Sequence, residues 1–171
     1  MKFFLKTAVS ALIFLLPTTG LLYGQQTADV RTVRWGFSPK QVKEAEPTKP
    51  TSVKKEKLIY ARTPINDRIM GLEYEFNGDS LLSASYYYYT TASVTKDDVL
   101  AASVEFEKQM TDKYGRGKTA LLGDTRNIIW LTPRTQITLS VGNVDRGWSV
   151  ELVYLCRVCS GQPVKDVKGK R

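Results

Sequence analysis

The sequence predicts an α+β domain, an antiparallel sheet of five or six strands with two helices packed on one face. Three observations carry that expectation. Ser38-Pro39-Lys40-Gln41 and Thr95-Lys96-Asp97-Asp98 both have the chemistry of a helix start. Six short runs are rich in strand-forming residues, and most of them alternate apolar and polar residues with period two. Turn signals such as Asn77-Gly78 separate neighbouring runs, which favours antiparallel hairpins over long crossovers.

The elements follow in chain order. Lys2 and Lys6 precede an apolar stretch from Thr7 to Leu16, which Pro17 breaks before the small residues Gly20 and Gly24. That pattern is a secretory signal peptide over residues 1–24, with cleavage expected near Gly24. The run is too short to span a bilayer, so the mature chain is expected to carry no transmembrane anchor and to be periplasmic or secreted. About 147 residues then remain, the usual size of one domain. A polar lead-in is expected over 25–33, the α+β domain over 34–160, and a basic flexible tail over 161–171.

At the first helix, Ser38 is the N-cap, Pro39 occupies the first turn and Gln41 completes a capping box. Phe37 can staple onto Val42, and Pro47 stops the helix near Glu46. Thr48 to Lys57 is polar, contains Pro50 and reads as a loop. Lys57 to Arg62 is a strand that Thr63-Pro64 should end. Arg68 to Phe76 alternates, with Met70, Leu72, Tyr74 and Phe76 on one face and Glu73 and Glu75 on the other. Ser80 to Thr90 runs back. A two-residue turn at Asn77-Gly78 would set Leu72 opposite Ser83, whereas an odd loop places Met70, Leu72 and Tyr74 on the face of Leu82, Ala84 and Tyr86. Because the buried face fixes register, the expectation is an odd loop with Gly78 left-handed.

The second helix starts at the Thr95 cap with Asp97 and Asp98 at the positive end of its dipole. Val99, Ala102, Phe106, Met110 and Tyr114 recur at helical spacing, and Gly115 supplies the C-cap. A loop containing Gly and Lys leads to strands over Asn127–Thr132, Thr135–Val141 and Trp148–Leu155. Each helix is thus followed by three strands, which leaves open a tandem helix-plus-three-strand duplication. Capping chemistry alone would also make two helix starts look alike.

Composition narrows the function classes. The chain carries a formal charge of +8 and has no histidine. Export removes nucleic acid as a partner, and the lysines interleave with glutamates as on a solvated surface. Without histidine, neither a Ser-His-Asp nor a Cys-His arrangement can be built, and two cysteines cannot complete a four-ligand zinc site. No catalytic residue, metal ligand or cofactor is assigned. Gly115-Arg116-Gly117-Lys118-Thr119 ends like a phosphate loop, but its glycine spacing is wrong and it follows a helix. Glu73 and Glu75 share a strand face without an apolar pocket nearby, which is a solvated sheet surface rather than an acid–base pair.

Two features could carry function. Cys156-Arg157-Val158-Cys159 has the spacing of a redox dithiol, but no helical pattern follows to stabilise a thiolate, so a disulfide pinning the last strand is the alternative. Such a bridge requires a turn or bulge, since on a straight strand the two side chains point apart. In Tyr86-Tyr87-Tyr88-Tyr89, Tyr87 and Tyr89 should emerge with Ile69 on the face away from the helices. An exposed aromatic pair is the kind of surface that anchors a partner.

Gly36-Phe37-Ser38-Pro39-Lys40-Gln41-Val42, with Pro47 after it, resembles the opening of small envelope proteins of the BamE (SmpA/OmlA) type and of β-lactamase-inhibitor-like modules. It is also similar to exported bacterial families that open with a Trp-Gly-x-Ser helix start. The lipid-bearing cysteine of the BamE type is missing. The resemblance implies a non-catalytic domain that binds an envelope protein. The expected function is therefore an exported interaction module using Ile69, Tyr87 and Tyr89. A thiol-redox protein and a small-ligand or lipid carrier remain the alternatives.

Overall fold

The computed structural model describes residues 28–144 and 147–159. The expected leader and basic tail lie outside the described residues. Two helices and eight strands follow in chain order: α1 (Pro39–Ala45), β1 (Ser52–Lys54), β2 (Lys57–Ile65), β3 (Arg68–Asn77), β4 (Ser80–Tyr89), α2 (Lys96–Tyr114), β5 (Lys118–Leu122), β6 (Thr125–Leu131), β7 (Thr135–Val144) and β8 (Gly147–Cys156). The strands form one antiparallel sheet in the order β1-β2-β3-β4-β8-β7-β6-β5. Each half of the chain is a helix followed by four strands, and the halves meet where β4 pairs with β8.

The strand count corrects the expectation of five or six, and each helix is followed by four strands rather than three. The two unforeseen strands, β1 and β5, are the two edges of the sheet. Neither buries a face, and every residue of β5 is exposed, so neither carries the alternation by which a strand is read. Thr63-Pro64 does not end β2 either. The strand runs on to Ile65 through a register shift between Tyr60 and Thr63.

Both helix starts have their full capping boxes. Ser38 accepts the Gln41 N–H while Gln41 accepts the Ser38 N–H, and Thr95 and Asp98 do the same. Gly115 closes α2 at φ +78°, its N–H donating to the Thr111 carbonyl. α2 packs on β4, β8, β7 and β6 through Val99, Ala102, Phe106 and Met110. Phe106 stacks on Tyr86 with ring centroids 6.3 Å apart, and the Tyr154 hydroxyl reaches the Met110 sulfur at 3.5 Å.

α1 lies over the same face. Val42 is fully buried, and Glu46, which caps the helix, accepts the Tyr74 hydroxyl at 2.5 Å and meets Arg31 Nε at 3.3 Å. The segment expected to be a polar lead-in also joins the core. Val30 and Val33 are buried, and the Trp35 indole N–H donates to Thr135 Oγ1 on β7 at 2.9 Å.

The β3–β4 hairpin reaches the expected faces by another route. Asn77 pairs with Ser80 across a two-residue turn, with Gly78 at φ +58°. The extra residue is Leu82, in a bulge between the Phe76–Leu81 and Glu75–Ser83 pairs. Beyond it Leu72 faces Tyr86 and Tyr74 faces Ala84 as expected, but Leu82, expected on the buried face, is the bulged residue, and Leu81 takes the buried position opposite Phe76. In the β7–β8 hairpin Ile137, Leu139 and Val141 stand opposite Tyr154, Leu152 and Val150.

Candidate functional site

Helices cover one face of the sheet, and the candidate site lies on the other. Gly71 pairs with Tyr87, which points Tyr87 and, two residues on, Tyr89 away from α2. Their rings stack with centroids 6.3 Å apart and planes 12° from parallel. Ile69 is 50% exposed and Tyr89 49%, while Tyr87 is half-buried. With Ala61 and Thr91 they border a shallow groove of about 130 Å³. The three residues singled out in the sequence are therefore together.

Gly71 is the residue that sequence reasoning missed. A Cβ there would fall 2.0 Å from the Tyr87 ring, so the ring lies directly across the bare backbone. The signal was available: a lone glycine inside an alternating strand marks a place where another group approaches closely. Glycine thus lowers the Tyr87 ring onto the sheet and leaves Tyr89 standing beside it.

The groove is flanked by charge. Lys57 Nζ sits between Glu73 and Glu75, 2.6 Å from the Glu75 carboxylate and in contact with Glu73. The hydrogen bonds to Glu73 and then Glu75 hold the lysine pKa above its usual value. The two glutamates are therefore an ion-pair triad on an open surface. On β8, beside Tyr87, Glu151 has its pKa raised, first by desolvation and then by the charges of Glu73 and Glu75. Glu151 as a whole is exposed, so that desolvation comes from crowding rather than enclosure. The Tyr87 hydroxyl is also raised, by burial first and then by Glu73 and Tyr89.

No protein-family model, curated protein or solved structure matches the chain.

The cysteines lie at the other end of the same strands. β8 stops at Cys156, the chain bends through Arg157 and Val158, and Cys159 returns to bond Cys156. That bend supplies the turn a bridge between these positions requires. Cys159 borders a cleft of about 390 Å³ with Trp35, Gly36, Ser80, Leu82 and Arg134. The Arg134 guanidinium is held there by Asp29 at 2.8 and 3.1 Å. Burial opposes ionisation of Asp29, but the Arg134 bonds and the Trp35 N–H outweigh it and hold the carboxyl below its ordinary value.

Proposed function

We propose that the chain is an exported, non-enzymatic interaction module that docks an envelope protein on the uncovered sheet face at Ile69, Tyr87 and Tyr89. The observation that carries this reading is the stacked, part-exposed Tyr87–Tyr89 pair beside Ile69 on a face that neither helix among the described residues covers. Two rings fixed against one another lose little side-chain entropy when a partner covers them, and each keeps a hydroxyl at its rim for hydrogen bonding. The charges of Lys57, Glu73, Glu75 and Glu151 border the aromatic pair at one end and on the β8 side, as a polar rim borders the apolar part of a protein interface. The envelope setting rests on the leader pattern over residues 1–24 and on the resemblance of the first helix start.

The test is site-specific photocrosslinking in the native cell envelope, with a photoreactive aromatic residue replacing Tyr87. Lys108, on the outward side of α2 and paired to Asp112, is the control position. A discrete adduct at 87 and none at 108 is the expected result, and it identifies the partner. Equal labelling at both positions, or none at 87, overturns the proposal.

A further inference from the structure

The cleft of about 390 Å³ lies at the opposite end of β4 and β8 from the stacked tyrosines, and one sulfur of the disulfide forms part of its wall. Cys159 borders the cleft beside Trp35, Leu82 and Val158. Cys156 instead continues the core-facing row of Leu152 and Tyr154 and stands opposite Thr135. The bridge spans a sequence separation of 3. A bond that closes so short a loop restricts the unfolded chain less than one closing a long loop, so it is a weak stabiliser.

The hydrogen-bonding groups around the two sulfurs suit a different role. The Cys159 N–H donates to Cys156 Sγ at 3.0 Å, and the Leu81 carbonyl oxygen lies 3.8 Å from Cys159 Sγ. A bridged sulfur has no proton to give, so the Leu81 contact becomes a hydrogen bond only when the bridge opens and Cys159 carries a thiol. Opening by thiolate attack on Cys159 leaves Cys156 as a thiolate, the form that accepts the Cys159 N–H best. Redox motifs commonly take that donor from a helix N-terminus. Here the bend from Cys156 to Cys159 supplies it. Arg157, next in the chain to Cys156, adds a positive charge, its guanidinium held by the Thr132 carbonyl. Both products of opening thus find their partners already in place.

We propose that Cys156–Cys159 is an exchangeable disulfide that oxidises a dithiol entering this cleft. The inference is independent of docking at Tyr87, which lies at the other end of β4. The first thiolate of the substrate attacks Cys159 Sγ. A substrate–Cys159 bond forms, the Cys156–Cys159 bond breaks, and the electron pair leaves on Cys156. The second substrate thiol, having lost its proton to solvent, attacks the substrate sulfur of that mixed disulfide. The electron pair then passes to Cys159, which takes up a proton and donates it toward the Leu81 carbonyl. Two electrons move in all: the substrate is oxidised to a disulfide, and the pair is reduced to a thiolate and a thiol. A monothiol is expelled after the first step by the neighbouring Cys156 thiolate, which is why a dithiol is the substrate class.

The test treats the oxidised full chain with dithiothreitol at neutral pH without denaturant and counts free thiols against time. Release of two thiols with an unchanged circular dichroism spectrum is expected. A bond that opens only when urea unfolds the chain overturns the proposal. Reduced glutathione, followed by acid quenching and mass mapping, reads which sulfur is attacked. The glutathionyl group is expected on Cys159 with Cys156 free, and a group on Cys156, or on neither, overturns it. Leu82→Trp fills the cleft beside Cys159 and should slow the dithiothreitol reaction at least about tenfold, because exchange requires access to the attacked sulfur. An unchanged rate in the folded variant overturns the cleft as the route of entry, and the glutathione mapping on the unaltered chain decides if that variant does not fold.

Discussion

Glu46 holds more of the molecule together than its place at the end of a seven-residue helix suggests. Its carboxylate is buried, accepts the Tyr74 hydroxyl and meets Arg31, which adopts φ +49° to bring its guanidinium there. Removing the carboxylate strips the buried Tyr74 hydroxyl of its acceptor, while the Arg31 guanidinium keeps access to water. Glu46→Ala should therefore cost about 1–3 kcal/mol in urea unfolding. Glu151 works in the opposite sense. Its pKa is raised in the folded protein, so its ionisation opposes folding, and stability falls as pH rises from the unfolded value through the folded one. Glu151→Gln should raise the melting temperature at neutral pH, and the gain should vanish below about pH 4, where both states are protonated. Gly71 gives the sharpest test of the aromatic face. The atoms nearest a methyl there belong to the Tyr87 ring and not to backbone, so Gly71→Ala should fold but tilt the ring off the sheet, abolishing the photocrosslinked adduct read from a probe at Ile69.

The elements show what could and could not be read from residues alone. Both helices were legible because capping is local: Ser38 with Gln41 and Thr95 with Asp98 act within three residues. The faces of β3, β4, β7 and β8 were legible because a buried set must alternate. Of the site, Ile69, Tyr87 and Tyr89 followed from that alternation, whereas Gly71 required knowing which ring crosses it. β1 and β5 were illegible because an edge strand is defined by its neighbour's hydrogen bonds, not by its own side chains. The β3–β4 parity was read correctly and its location was not, since a turn and a bulge shift register equally well. That yields a prediction. Deleting Leu82 should leave a regular ladder with every side chain on its present face, costing no more than about 2 kcal/mol in thermal unfolding. Deleting Ser85, three residues on, reverses the alternation of everything before it in the strand and should abolish cooperative melting.

At the scale of the whole molecule, the site stands on the seam between two halves. Tyr87 belongs to β4, the last strand of the first half, and its row continues onto β8 as Glu151. The helix side of the same seam is closed by α2, through Phe106 on Tyr86. An open surface is thus backed by the α2 side of the core, which holds β4 in place while the outer faces of Tyr87 and Tyr89 stay free.

That seam also dictates when the protein can become itself. β4 is finished early in the chain, yet its second neighbour is β8, the last strand among the described residues, so Ser83 must wait for Leu155. A chain emerging in order, whether from a ribosome or through a translocation pore, carries an unsatisfied central strand for most of its passage. Closure over so long a loop is slow, and the waiting edge invites wrong partners. Refolding should accordingly be limited by β4–β8 docking, with Tyr87 amide protection appearing in the final phase of pulsed hydrogen exchange and not with the β3–β4 hairpin. A holding chaperone would find its natural handle in that interval, on the edge of β4 that the folded protein pairs with β8.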